Sequence, residues 1–512
     1  MKKYIYLIAN IFALLILVSC EDELNQVPLS EGTTENFYST QNDFIQARNA
    51  TYSIAFHGTG TYGYPNRVLN LSETRSDNFY ATTQASRDWE GINNFFVSLS
   101  SNSLVTEAYV SNYNAIYKAN QLLEQLEARG QVIPVVADRT NMEAEARFLR
   151  AFCYFDLLRW FGKVPLIKNT LSPQEVASIK RTAVTEVYDL ILSDLQFAVN
   201  NLAPSYDAAN FGRVTKYGAK GLLALVYMTR SSETYGIDGS SLGLNEWDKA
   251  YQQLNDIKTS QLFTFSTDYA SIFTVEGNAN KENVLVIPYT QNTGNGVGGN
   301  FVIELGYEPY FASLNLSQQG SLEYRPISES LSSLLSATDN RRIYGIADTF
   351  TVTSGTYTGT YTDRPTVKKY IDASRYGNGR EDWGVDFIAM RYTDVLMLMA
   401  ECTLHGGGGS QADVDAIVNQ VRTRAGLTAD ASNITLDQLF DERRAEFFGE
   451  GTRWFDLIRS GKALTTMNAW KTAEDASNSI GTIDKNSLLY PIPLQEMLAV
   501  PGLYEQNPGY DN

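Results

Sequence analysis

Apolar residues in the middle of the chain recur at helical spacing. In "AEARFLRAFCYFDLLRWFG", Ala144, Phe148, Ala151, Phe155 and Leu158 follow one another at steps of three and four, which places them on one face of a helix. Gly162 and Pro165 then stop it. Glu143 lies four residues before Arg147 and Asp156 three before Arg159, spacings that mark a solvated flank. "YNAIYKANQLLEQLEARG" follows the same rule with Ala115, Ala119, Leu122 and Leu126, and "TKYGAKGLLALVYMTR" with Ala219, Leu222 and Val226. In the latter, Gly218, Ala219, Gly221 and Ala224 predict the close approach of a neighbouring helix. Residues from about 103 to 260 therefore read as successive amphipathic helices that alternate small and large residues, the packing of tetratricopeptide (TPR) arrays. The full TPR consensus, about 34 residues long, never appears.

The pattern changes between about 276 and 385. "NTGNGVGGN" and "TVTSGTYTGTYTDRP" are rich in Gly, Thr and Tyr and favour turns and short strands. Helices resume at "FIAMRYTDVLMLMAEC", break at Gly406 to Gly409, and restart with Ser410 as a cap. The last long helix opens with Thr435 and Gln438, the spacing of a capping box. The expected fold is mainly α: a TPR-like helical scaffold with a loop-rich insert containing short strands. The expected divisions are a signal segment at 1–19, a helical region at 20–260, and a C-terminal region at 261–512 that carries the insert.

The start of the chain is of another kind. Lys2 and Lys3 precede an apolar run from Tyr4 to Val18 interrupted by Asn10, the pattern of a secretory signal. About 15 apolar residues fall short of the roughly 20 that span a bilayer. Leu17, Val18 and Ser19 lead into Cys20, which resembles the lipobox of bacterial lipoproteins. Cys20 is therefore expected to become a lipidated N-terminus, and two or three acyl chains at about 0.8 kcal/mol per buried methylene make a lasting anchor. Glu21, Asp22 and Glu23 follow at once, where anionic headgroups would repel them. They suit a surface-export tag or a solvated linker.

Removing residues 1–19 leaves 512 − 19 = 493 residues, enough for a large core or two to three ordinary domains. The net charge of −17 becomes −19 without the two leader lysines, which argues against nucleic acid or an anionic membrane surface as partner. Beyond Cys20 only Cys153 and Cys402 remain, both within helical patterns, so neither a disulfide framework nor a CxxC metal spacing exists. They read as small buried apolar residues. His57 and His405 are the only histidines, which leaves no HExxH zinc motif, and neither a cofactor nor a metal is expected. His405 precedes "GGGG" at a helix end, where a donor suits the last carbonyls. With 31 Tyr, 24 Phe and 6 Trp, the chain holds more rings than a helical core needs, so some are expected at the surface.

Four blocks, "AEARFLRAFCYFDLLRWFGKVPLI", "FIAMRYTDVLMLMAEC", "DERRAEFFGEGTRWFDLIRSG" and the tail "LYPIPLQEM" followed by "QNPGY", resemble in family order the SusD/RagB family of surface lipoproteins. The resemblance implies a TPR-like α fold on the outer membrane, lipid-anchored and facing the cell exterior. It also implies a role without catalysis. Such a protein binds oligosaccharides, or in some members peptides, and caps a SusC-like TonB-dependent β-barrel transporter. In the third block Glu442, Glu446, Glu450, Arg453 and Asp456 crowd together. Glu450, Arg453, Asp456 and Arg459 step by three, so they are expected to pair along a helix surface while Trp454 and Phe455 pack inward. Gly449 and Gly451, each costing up to about 1 kcal/mol in a helix interior, predict a kink.

Sugar recognition uses flat aromatic faces and hydroxyl-binding amides, carboxylates and guanidinium groups. "LSETRSDNFYATTQASRDWEGINNFF" gathers these types as Arg75, Asp77, Asn78, Tyr80, Trp89 and Asn93. A second cluster lies in the insert: Tyr307, Tyr310, Tyr324, Tyr376 and Trp383. Trp89 and Trp383 are the expected stacking platforms. No residue is expected to be catalytic, although a surface glycosidase with carboxylates about 5 to 10 Å apart is the rival enzyme class. Peptide capture by the same architecture is the rival ligand class.

Overall fold

The computed structural model describes residues 37–58, 63–80, 88–274, 277–292, 298–316, 325–363 and 365–511. The leader, Cys20, the three acids after it and Tyr324 lie outside the described residues. The longer helices are α1 Gln41–Tyr52, α2 Ser103–Arg129, α3 Val136–Phe161, α4 Val184–Asn201, α5 Lys216–Ser231, α6 Trp247–Thr259, α7 Tyr392–Leu404, α8 Gln411–Arg424 and α9 Leu436–Phe447. From α1 to α8 each packs on the next, and α9 joins at α7. The chain is thus mainly α. The array runs straight from α6 to α7, although the whole insert separates these two in sequence. No helix among the described residues is long and apolar enough to cross a membrane.

Ala144, Phe148, Ala151, Phe155 and Leu158 are all buried on α3, and Gly162 ends it at φ 69. A Cβ on Gly162 would lie 2.2 Å from the Asp238 carbonyl oxygen, so both the turn and the packing require glycine. The expected solvated flank exists only at Glu143 and Arg147, which pair at 2.8 Å. Asp156 is fully buried in its ion pair with Arg159, because the second half of α3 is covered all round. α5 packs on the helices before and after it, but its two glycines face a further neighbour. Cβ atoms on Gly218 and Gly221 would meet the Val284 carbonyl oxygen at 3.3 Å and Met390 Sδ at 2.3 Å, which are parts of a strand pair, before reaching Ile257 of α6 at 3.8 Å from Gly221.

That pair is β1 Asn283–Ile287 and β2 Phe387–Arg391, antiparallel with Val286 opposite Ile388 and Ile287 opposite Phe387. It closes the insert at its base and delivers the chain to α7, so "FIAMR" is a strand and the helix begins at Tyr392. Within the insert, short antiparallel pairs join Ile346–Ala347 to Thr366–Val367 and Phe350–Val352 to Gly359–Tyr361. Capping boxes start α8 at Ser410 and α9 at Thr435. Cys153 and Cys402 are buried free thiols. His405 caps α7 and lies flat on Trp247, ring centres 3.9 Å apart.

The C-terminal block departs most from expectation. α9 ends at Phe447, Gly449 and Gly451 take φ 76 and 83, and a separate helix, α10 Arg453–Arg459, follows. The charges do not pair along one helix surface; apart from Arg459 with Asp456 at 2.7 Å, their partners come from other elements. Arg391 reaches Glu446 at 2.7 Å and Glu450 at 2.9 Å, Lys369 reaches Glu450 at 2.9 Å, and Arg424 reaches Glu446 at 2.7 Å. Arg443 bridges Asp394 and Asp456, and Arg459 holds Glu401. Burying so many charges is tolerable only because each has a partner.

Candidate functional site

Most of the residues expected at a ligand site build the core. Arg75 lies 4.1 Å from the centre of the Phe95 ring and 4.5 Å from that of Tyr490, and donates to the Ser487 carbonyl at 2.7 Å, which fastens the C-terminal tail. Asp77 accepts from Arg453 at 2.7 and 2.9 Å and meets Arg444 at 3.2 Å. Burial pushes its carboxyl up, but Arg453 and Arg444 overcome this and hold it at about 2. Asn78 donates to Glu73 at 2.7 Å and accepts from Arg444 at 2.8 Å, and Asn93 donates to the Thr74 carbonyl at 2.7 Å. Glu73 in turn accepts from the Gly449 and Gly451 amides at 2.7 and 3.0 Å.

The two expected platforms require a correction. Trp89 is 2% exposed and Trp383 0%, the latter donating Nε1 to the Arg380 carbonyl at 3.0 Å, so neither presents a face to solvent in this structure. Tyr307 is buried edge-on to Tyr361 at 6.0 Å. Tyr80, Tyr310 and Tyr376 remain partly exposed. Polar neighbours in sequence suggested open loops; those neighbours are satisfied instead by residues distant along the chain.

The structure nonetheless brings the N-terminal segment and the insert together, at a place the sequence reading missed. Phe79 pairs with Ile327, the Tyr80 amide donates to the Pro326 carbonyl at 3.2 Å, and Ser328 donates to the Asp77 carbonyl at 2.6 Å. Beside this seam stands Glu304. Asn66 Nδ2 donates to its Oε1 at 2.8 Å, while Asn70 Nδ2 and Arg325 Nη2 both donate to its Oε2 at 3.2 Å. Asn66 and Asn70 lie four apart on consecutive helical turns, which aims both amides the same way. Arg325 also donates to Thr74 Oγ1 at 3.1 Å and lies 5.2 Å over the Trp89 ring. The Glu304 side chain keeps 12% of its exposure, against 4% for Arg325.

Three atoms at this junction, Asn66 Oδ1, Asn70 Oδ1 and Trp89 Nε1, are buried and make no hydrogen bond within the protein. Such atoms can be met by water or by a hydroxyl group of a ligand. A carboxylate, a guanidinium and two amides together both donate to and accept from hydroxyl groups. In sequence only the i,i+4 pair of asparagines hinted at this; Glu304 is embedded in the apolar "FVIELGY". Nearby, burial lowers His57 to about 4, and its ring stands 4.7 Å from Tyr289, so it is neutral at physiological pH. Among the described residues no three His, Cys, Asp or Glu side chains are grouped to hold a metal ion.

Known proteins share this fold. The SusD family model matches residues 337–510, and a model described as "Starch-binding associating with outer membrane" matches 38–228. SusD-like protein P25 of Formosa agariphila is 24% identical, the match covering 98% of this chain and 99% of that protein. Starch-binding protein SusD of Bacteroides thetaiotaomicron is 23% identical over 88% and 86% of the two chains. Among solved structures, surface glycan-binding protein A from Bacteroides thetaiotaomicron in complex with laminarihexaose superposes with TM-score 0.77 at 21% identity, covering 92% of this chain and all of that one. A laminarin-binding SusD-like protein gives 0.73 at 22% identity, again over 92% of this chain. These likenesses establish the scaffold. With family models matching its N-terminal helices and its C-terminal block, and relatives aligned over nearly all of its length, the chain belongs to the SusD/RagB family.

Proposed function

We propose that the protein binds oligosaccharides at the outer membrane, held there on the exterior by lipid on Cys20, and delivers them to a SusC-like TonB-dependent β-barrel transporter that it caps. The observation that carries this reading is Glu304, held by donors from two distant segments yet not sealed from solvent. An anchored carboxylate with a guanidinium beside it binds vicinal hydroxyls without first having to order itself, which preserves affinity. Tyr80, at the same seam, is only half-buried and can offer a ring for stacking. The names of the relatives, starch-binding and glycan-binding, support the ligand class and a role without catalysis.

Calorimetric titration of the purified chain against maltohexaose, laminarihexaose and short cationic peptides tests the reading. Heat with a glycan is expected, and Glu304→Gln is expected to weaken it roughly tenfold, the scale of one charge-assisted hydrogen bond. Heat with peptides alone, or an unchanged affinity in Glu304→Gln, would sink it. Incubation with the bound glycan is expected to release no reducing ends. Affinity isolation from outer membranes is expected to bring down a β-barrel transporter; recovery of this chain alone would remove the delivery step.

A further inference from the structure

A second opening lies beside the start of β1 and shares no residue with the Glu304 junction. It is a cleft of about 310 Å³ where three separate stretches meet: the loop before α5, the residues just after α6, and the approach to β1. Tyr206, Phe211 and Phe263 line it, each with part of its ring exposed. Two of these rings are held in place. Arg213 covers one side of Tyr206 at 4.4 Å, and the Tyr206 hydroxyl donates to Asn141 at 3.1 Å. Phe263 is braced edge-on by Tyr217 at 5.9 Å and lies parallel to Tyr392 at 6.2 Å. Among the described residues no other ring packs on Phe211, whose neighbour Gly212 takes φ 88 and packs where a Cβ would strike Pro288 at 2.5 Å.

The polar side of the cleft carries an independent sign. Asn283 lines it at the first position of β1, where the register with β2 is irregular. Its Oδ1 is buried and makes no hydrogen bond within the protein, while its Nδ2 reaches the Gly277 carbonyl only at 3.4 Å. A buried acceptor without a protein partner, at the wall of a cleft lined by aromatic rings, suits a hydroxyl on a flat, ring-shaped ligand that displaces the side chains covering it. Ser205 and Thr215 add hydroxyls to the same wall. The volume stands at the small end of ligand sites, which run from about 300 to 1,000 Å³. A short ligand fits that volume better than a long chain.

We propose that this cleft is a second binding site, for a short neutral oligosaccharide that stacks on Phe211 and Phe263 and donates a hydroxyl to Asn283 Oδ1. The site does not depend on the Glu304 junction.

The test is calorimetric titration of the full chain with maltotriose, laminaritriose and cellotriose at millimolar concentration, in the native sequence and in Glu304→Gln. Residual trisaccharide binding is expected in Glu304→Gln, and adding Phe211→Ala or Asn283→Leu to it is expected to lower that residue of binding roughly tenfold, the loss of one stacking ring or one hydrogen bond. Phe211→Tyr retains a ring and is expected to restore it, which separates a lost platform from a misfolded loop. Thermal midpoints within a few degrees of the parent confirm that each variant is folded. Unchanged binding in both Phe211→Ala and Asn283→Leu overturns the proposal, as does a Glu304→Gln protein that takes up none of the three sugars. Binding lost in Phe211→Ala but intact in Glu304→Gln leaves this site standing and fells the junction instead.

Discussion

The buried face of α4 is made of Val184, Val187, Tyr188, Ile191, Leu195, Ala198 and Val199, with Asp194 the one charge among them. The buried faces of α9 and α10 carry Arg443, Arg444, Glu446, Arg453, Asp456 and Arg459. Both regions are equally hidden from water, yet they are held by different forces. Apolar contacts are non-directional and scale with area, so a helix in the array keeps most of its stability when one side chain shrinks. Paired charges recover their desolvation cost only in one geometry, and a charge that loses its partner is left to pay in full. The array is therefore tolerant by construction, and the C-terminal block is exacting.

Arg391→Met is the severest way to break this contrast. Arg391 is 1% exposed and serves both Glu446 and Glu450, so its removal leaves two buried carboxylates short of a cation. The expected loss is about 4 kcal/mol, read as a fall in the denaturant midpoint. In the array, Leu195→Ala, at a fully buried position, is expected to cost about 3 kcal/mol through lost transfer energy and the cavity left behind. If Leu195→Ala proved the more damaging of the two, the distinction between tolerant and exacting regions would be wrong.

Those two regions also differ in how far they were legible. The apolar period of α2, α3 and α5 is local, so the helices and their inward faces follow from neighbours three and four apart. Gly162 and the caps at Ser410 and Thr435 are equally local. The Asp77 to Arg453 bond joins residues 376 apart in sequence, and Arg75 reaches Ser487 across 412. No spacing rule spans such distances, and a buried pair and a solvated one look identical in a sequence. That is why Arg75, Asp77 and Asn78 read as surface groups, and why Trp89 and Trp383, set among polar residues, read as platforms. Glu304 went unnoticed for the converse reason: its apolar neighbours suggested a core, while its partners Asn66, Asn70 and Arg325 come from elsewhere.

Asp77 sharpens the comparison through pH. Its folded-state carboxyl sits at about 2 against an ordinary 3.8, so the stability it contributes is whole above about pH 4 and is lost as pH falls through about 2. Asp77→Asn is expected to cost about 2 kcal/mol at neutral pH, with the gap from the native sequence closing as the solution is acidified to pH 2. Denaturant midpoints taken across that range check it. A gap that stayed constant with pH would mean that shape, not charge, makes Asp77 matter.

The smallest expected effect probes whether the two kinds of stability share one helix independently. Thr435 and Gln438 cap α9 reciprocally: the Gln438 amide donates to Thr435 Oγ1 at 3.4 Å, and the Thr435 amide donates to Gln438 Oε1 at 3.0 Å. Thr435 is exposed, so Thr435→Ala removes only the cap and is expected to cost about 1 kcal/mol. The charge network begins two turns further along the same helix, at Arg443 and Arg444. If the cap acts locally, Thr435→Ala and Arg391→Met add, and the double variant loses about 5 kcal/mol, within the roughly 0.5 kcal/mol by which distant sites deviate from additivity. A double loss well short of that sum means that the first turn of α9 frays once the network is broken. The local signal in the sequence would then depend on the long-range pairing that the sequence does not reveal.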